Sequence, residues 1–326
     1  MVESFHRGAV AVVDARGRCV HAWGDIERPV YARSAIKPLQ ALALVETGAA
    51  DHFELGDAEI ALACASHRGE TVHTERVRRW LRRLGLSEAD LECGVHPPRD
   101  PDAAARLLRA GQAPSPVHNN CSGKHAGFLT TAVHLGEPTY GYVCAEHPVQ
   151  QRVRAILESM SGTALVDAPL GVDGCGIPVV GLSLRASAFA MARLGNPVGL
   201  AATRRRAAER IRHAMWAQPH MVAGTNRLCT VLMQALPGRV LLKTGAEGVY
   251  TAVLPERELG VALKIDDGAG RAAAVAVAAV LRYLGQLPAS ALAAWLELPN
   301  TNIRGANVGV CRPAATWSIT APMRSA

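Results

Sequence analysis

Apolar residues recur every three to four positions through Ile36, Leu39, Ala43 and Leu44, the period of a helix face, which predicts a helix over 36–47. Gly48 supplies a C-terminal stop, and Pro38, lacking an N–H, sets the start of the regular helix near Lys37. Further helices are predicted over 57–64, 70–84, 101–110, 124–135, 146–160, 199–214 and in the stretch after Asn226. Gly268-Ala-Gly270 then introduces an alanine-rich helix at 271–285, with another at 289–297. Strand signals sit at the two ends. Residues 9–13 and 19–23 are short β-prone runs around the turn Asp14-Ala-Arg-Gly17, and 240–242, 249–254 and 261–265 are three more. This order predicts an α+β fold. One antiparallel sheet comes from about 1–30 and 238–326, and a mainly helical middle of about 34–236 covers it and forms a lobe. No repeat or low-complexity linker divides the chain, so 1–326 reads as a single unit.

Composition narrows the class. Of the 326 residues, 49% are hydrophobic and 19% charged, which excludes wholesale disorder and allows a substantial core. The net charge of +7 raises the question of an acidic partner. Much of the arginine falls in helix-like stretches such as Arg76-Val-Arg-Arg-Trp-Leu-Arg-Arg83 and Arg204-Arg-Arg206. Five Trp, five Tyr and four Phe are few for base stacking. The charge reads as solvated helix faces, with no nucleic-acid partner. His6-Arg7-Gly8 interrupts the first apolar run, so no secretory signal is read, and the longest apolar stretch, 272–281, is too short to span a bilayer. Eight cysteines without a dense framework suit reduced thiols. The expectation is a soluble cytoplasmic protein with no membrane partner.

Ser34-Ala-Ile-Lys37 places a hydroxyl and an amine about one helical turn apart, on a shared face. Read alone, it is an N-cap serine beside a solvated lysine. Lys243-Thr-Gly245, on a late strand candidate, changes that reading. An early SxxK, a middle serine and a late KTG follow the order of serine β-lactamases and penicillin-binding proteins. There the KTG strand borders the helix bearing the nucleophile, and its glycine lets substrate approach the strand. Two neighbouring lysines repel, so at least one has a lowered pKa and can act as a base near neutral pH. The middle serine is Ser66, in Cys64-Ala-Ser-His-Arg-Gly-Glu70. Arg68 stands where a β-lactamase carries asparagine, which argues against lactamase activity, and a helix-ending turn residue is the other reading of Ser66.

His118-Asn-Asn-Cys121-Ser-Gly-Lys124-His125 and Val172-Asp-Gly-Cys175-Gly-Ile-Pro178 each project a cysteine from a Gly-containing turn. One thiolate from each, with a nitrogen ligand, makes a three-residue zinc site with a fourth position open. The spacing is not that of a finger or ribbon, and two inert loop thiols are the competing reading. His213 and His220 carry no signal.

Taken together, ARSAIKPLQA, CASHRGE, HNNCSGKHAGFL, GVDGCGIPV and LLKTGAEGVY resemble the rhizobial-type (class 3) L-asparaginases, the asparaginase II family, over nearly the whole chain. The resemblance implies a serine β-lactamase-like fold, a homodimer, and hydrolysis of L-asparagine to aspartate and ammonia. It implies two catalytic Ser–Lys pairs, Ser34 with Lys37 and Ser66 with Lys243. It implies a zinc ion on Cys121, Lys124 and Cys175 with water, and substrate contacts from Arg33 and Asp173. Thr244 and Gly245 of the KTG strand join the expected substrate-binding positions. The expected reaction is acyl transfer to a serine, more readily Ser34, with backbone N–H groups near Ser34 and after the KTG strand facing the oxyanion. Two rival readings remain at this point. One is a cytoplasmic esterase or peptidase of the penicillin-recognising type, and the other is a non-catalytic amino-acid or metal-binding protein.

Overall fold

The computed structural model describes residues 1–285 and 289–317, and the ten strands among them form three sheets. β1 (Gly8–Asp14) and β2 (Cys19–Trp23) pair as the expected hairpin. β3 (Val30–Tyr31), β4 (Leu170–Val172) and β5 (Pro178–Leu182) make a small sheet. β6 (Leu241–Thr244), β7 (Val249–Leu254) and β8 (Leu259–Ile265) join β1 and β2 in the main sheet, while β9 (Leu298–Thr301) and β10 (Asn307–Cys311) form a separate hairpin. The main sheet is antiparallel in the order β2-β1-β8-β7-β6, so the two ends of the chain meet where β1 pairs with β8. No described residue after Ile265 adds a strand to it, and 286–288 and 318–326 of the expected sheet region lie outside the described residues.

β1 is a continuous apolar run rather than an alternating one because both of its faces are covered. Ala9, Ala11, Val13 and Ala262 pack with Leu184 and Ala188 of the helix Leu184–Gly195. On the opposite face Tyr283, from the helix Gly270–Tyr283, meets the Trp23 ring edge-on at 5.4 Å. Residues paired across antiparallel strands share a face, which puts Lys243, Thr251 and Ala262 on the Leu184–Gly195 side. Thr251 Oγ1 donates to the Ala35 carbonyl at 2.8 Å, docking the turn that carries Ser34 on the same side. The SxxK turn thus meets the KTG strand as a serine β-lactamase-like plan requires.

Helices at Asp57–Ala63, Thr71–Arg83, Pro101–Arg109, Ser122–Leu135, Pro148–Ser161, Ala202–Ala217, Leu228–Ala235 and Ala289–Leu296 follow the expected bounds closely. The first expected helix is subdivided into a 3-10 turn Arg33–Ile36, then Lys37–Gln40 and Leu42–Glu46. The periodicity does not predict Leu184–Gly195. Most of its residues are buried and only the narrow stripe Arg185, Phe189 and Arg193 is not, too little to mark a period. Ser183 nevertheless caps the helix by accepting from the Ala186 N–H at 3.1 Å. No helix among the described residues is long and apolar enough to cross a membrane.

Candidate active site

Arg33 adopts a φ of +51°, uncommon outside glycine, and this bend starts the 3-10 turn holding Ser34. A Cβ at Gly245 would lie 2.9 Å from the Ala32 carbonyl oxygen, so only glycine lets the KTG strand come this close to the turn. The two lysines of the motifs are buried, Lys37 at 0% and Lys243 at 1% exposure. The Lys243 amine donates to the Ser66 hydroxyl at 2.8 Å and to the Thr244 carbonyl at 2.7 Å. The Lys37 amine donates to the same hydroxyl at 3.2 Å, to Cys121 Sγ at 3.2 Å, and to the Ala65 carbonyl. Ser66 therefore sits between two buried amines. The pairing of Ser66 with Lys243 is present, whereas Lys37 turns to Ser66. The half-buried Ser34 hydroxyl makes no hydrogen bond among the described residues.

Burial, and after it the Lys37 charge, pulls the Lys243 amine from its ordinary 10.5 down to about 7. Burial also lowers Lys37, against the opposing pull of the Cys121 thiolate. Thr244 and Gly245 flank this cluster at the strand end. The Gly245 N–H is donated to the Val249 carbonyl at 2.7 Å, so it is not free to face an oxyanion as the motif suggests.

The helix Ser122–Leu135 starts beside Cys121 and presses on the segment leading to Ser66. A Cβ at Gly123 would sit 2.4 Å from the Leu62 carbonyl oxygen. Cys121, Lys124 and Cys175 are all buried, and the Lys124 amine donates to Cys175 Sγ at 3.0 Å. A hydrogen bond from Cys175 holds the Cys121 thiol well below its ordinary range, and the same bond, with burial, raises Cys175. Burial would lower the Lys124 amine, but the two sulfurs hold it up. Two sulfurs and an amine converging from separate loops fit a tetrahedral borderline cation with one position open. A metal there would displace the protons of Lys124 and Cys175.

Arg33 Nε donates to Asp173 Oδ1 at 2.6 Å, with the two side chains 23% and 11% exposed, so these residues first meet one another. The pair ties the Ser34 turn to the loop of Cys175. Burial would raise the Asp173 carboxyl, but the Lys124 and Arg33 charges outweigh it and hold the pKa below its ordinary value. His67, which the motifs do not single out, links the Ser66 segment to the Cys121 helix through Ser122 Oγ at 2.9 Å. Its adjacency to Ser66 is the one trace of this role in the sequence.

A family profile described as L-asparaginase II matches residues 1–313. The chain belongs to the L-asparaginase II family. Membership makes it an asparaginase-type hydrolase. A search of curated proteins gives no match. Among solved structures, a D-alanine carboxypeptidase from Burkholderia cenocepacia aligns at 14% identity over 79% of this chain and 88% of that one, with a TM-score of 0.40. A simvastatin synthase mutant from Aspergillus terreus aligns at 13% identity over 79% and 86%, with a TM-score of 0.42. A class C β-lactamase from Rhodobacter sphaeroides aligns at 16% identity over 80% and 90%, with a TM-score of 0.39. These scores are low, and the fold of this asparaginase II member rests on its own sheet order and on the meeting of its SxxK turn with its KTG strand.

Proposed function

We propose that the protein hydrolyses L-asparagine to L-aspartate and ammonia through an ester on Ser34. The observation that carries this reading is the Ser66 hydroxyl held between the amines of Lys37 and Lys243. Two N–H donors engage both lone pairs of Ser66 Oγ and leave its O–H to be given away. That state suits a proton relay better than a nucleophile. Ser34, one turn ahead of Lys37 and unengaged, keeps its lone pairs for the substrate.

In the attack, Ser34 Oγ bonds to the side-chain amide carbon while its proton passes to the neutral Lys37 amine. In that form the amine donates two of its three hydrogen bonds and keeps a lone pair. The C–N bond then breaks, Ser66 hands its proton to the departing nitrogen, and a lysine ammonium replaces it, so ammonia leaves. Water attacks the ester carbon next and gives a proton to an amine, which passes it to Ser34 Oγ as the acyl–oxygen bond breaks, freeing Ser34 and aspartate. Arg33 retains guanidinium N–H groups beyond the one given to Asp173, which supports its contact with the substrate α-carboxylate. Asp173 suits the α-ammonium. Cys121, Lys124 and Cys175 would hold zinc, which supplies a Lewis-acidic charge for orienting the substrate's polar groups.

The test is ammonia release from L-asparagine and L-glutamine by wild type, Ser34→Ala and Ser66→Ala. Each substitution should lower the rate by about a thousandfold or more, as loss of a member of a catalytic unit does. Near-wild-type rates in both would reject the mechanism. Mass spectrometry of the quenched reaction should find the ester on the Ser34 peptide, and an ester on Ser66 would reverse the two roles.

A further inference from the structure

Downstream of Ser66 the chain runs through Glu70, the N-cap of the helix Thr71–Arg83, to His73 in its first turn. The Glu-x-x-His spacing puts a carboxylate and an imidazole on one side of the helix start. The helix Pro219–Ala223 brings His220 to the same place. Ligand-capable atoms of Glu70, His73 and His220 lie within 4.8 Å of one another, and His220 Nε2 is 3.0 Å from Glu70 Oε2. Thr225 completes the group, its N–H and hydroxyl donating to the two Glu70 oxygens at 2.9 and 2.8 Å.

His73 is 0% exposed, and its Nε2 meets the His220 carbonyl at 3.0 Å. A carbonyl only accepts, so Nε2 carries the proton and Nδ1 presents a lone pair. That Nδ1 is buried and has no hydrogen-bond partner. An imidazole anchored through one nitrogen on a backbone carbonyl, with the other nitrogen bare, is the arrangement found in metal-ligating histidines. Burial keeps the ring neutral by lowering its pKa. Glu70 and His220, with side chains 13% and 33% exposed, leave a route in from solvent.

We propose that Glu70, His73 and His220 form a second divalent-cation site, for a borderline ion such as Zn2+, separate from the Cys121, Lys124 and Cys175 group. Imidazole and carboxylate donors favour such an ion over Mg2+ or Ca2+. Two donors at about 2.05 Å from a tetrahedral ion stand about 3.3 Å apart. The 3.0 Å between His220 Nε2 and Glu70 Oε2 therefore needs only a slight opening once the shared proton is displaced. The His220 ring, stacked on His73 at 5.1 Å and 16°, must also tilt so that both imidazoles face one ion. Thr225 Oγ1, 3.1 Å from His220 Nε2, stands where a neutral oxygen ligand would complete the shell. The ion would clasp the 220–225 turn to the segment that follows Ser66. That segment is already joined to the turn by the Ser66 N–H to Val222 carbonyl bond at 2.9 Å and by the His67 ring stacked on His73 at 5.0 Å. The cation would act as a positioning element for Ser66.

Co2+ alone, titrated into chelator-treated full-length protein, tests this by spectrum and stoichiometry. Wild type should bind two equivalents, one with a thiolate-to-cobalt charge-transfer band and one without. Cys121→Ser should lose or weaken that band and keep the other equivalent. Glu70→Gln and His73→Ala should keep the band, which also reports that the chain has folded, and weaken the second equivalent by at least about a hundredfold. A single, thiolate-bound equivalent in wild type would overturn the proposal. So would two unaltered equivalents in both Glu70→Gln and His73→Ala.

Discussion

Lys243→Met exchanges a buried amine for an uncharged side chain of similar length, and it is expected to stabilise the fold while ending ammonia release. The amine titrates near 7 instead of 10.5, because burial and then the Lys37 charge disfavour the ammonium form. At 1.36 kcal/mol per pH unit, that difference is an excess of about 5 kcal/mol in the folded protein wherever the amine is charged. The substitution removes the excess but leaves the Ser66 hydroxyl and the Thr244 carbonyl short of a donor. Their loss costs about 1–3 kcal/mol. A net gain of about 2–4 kcal/mol follows below neutral pH. With about 2.1 cal/mol/K of unfolding entropy per residue over 326 residues, the melting temperature should rise by about 3–6 °C.

Linkage fixes how the gain varies with pH. Below about 7, folded and unfolded chains both hold the proton, and the variant has its full advantage. Between about 7 and 10.5 the unfolded lysine keeps its proton while the folded one has shed it, so wild-type stability rises with pH and the advantage shrinks. Thermal unfolding of both proteins at about pH 6 and about pH 9 reads this directly. A variant less stable than wild type by the same amount at both values would refute the reasoning, since the ammonium would then be no burden to the fold.

For wild type, kcat/KM for asparagine should climb as pH rises through about 7, where Lys243 sheds its proton, and a flat profile across that range would deny the amine its role as a base. Asp173→Asn removes the carboxylate assigned to the substrate ammonium and releases Arg33 from its 2.6 Å partner. KM should rise at least about tenfold, equivalent to about 1.4 kcal/mol, with kcat changed less. A fall in kcat alone would place Asp173 elsewhere in the reaction. Gly123→Ala puts a methyl 2.4 Å from the Leu62 carbonyl oxygen, so the helix must back away and the fold should lose about 1–3 kcal/mol. An unchanged melting temperature would show that this approach is not tight.

The helices around the site are legible where one side stays wet. Thr71–Arg83 buries His73, Thr74, Val77, Trp80 and Leu81 at helical spacing, with Arg79, Arg82 and Arg83 on other positions, and its period is plain. Leu184–Gly195 hides because nine of its twelve residues are buried, and the stripe of Arg185, Phe189 and Arg193 is too narrow to set a period. β3 and β4, of two and three residues, are too short to show alternation at all. The small sheet they form with β5 nevertheless positions the loop that carries Asp173 and Cys175.

The members of the site are likewise legible as motifs, but their wiring is not, and the reason is physical. Sequence spacing fixes where Ser34 and Lys37 leave the backbone, yet an amine on a four-carbon stem takes the partners that packing brings to its tip. Those are the Ala65 carbonyl, Ser66 and Cys121, supplied by two other segments of the chain. The approaches that deliver them leave their mark as glycines. Gly123 lets the Cys121 helix lie on Leu62, and Gly245 lets the KTG strand lie on Ala32. The same closeness shuts both lysines away from water, so the contacts that burden the fold also bring the Lys243 pKa near neutrality. A mutation that loosens either approach would return the Lys243 pKa toward 10.5, and by the same step it would deprive the site of one of its two bases, whatever the lost packing costs the fold.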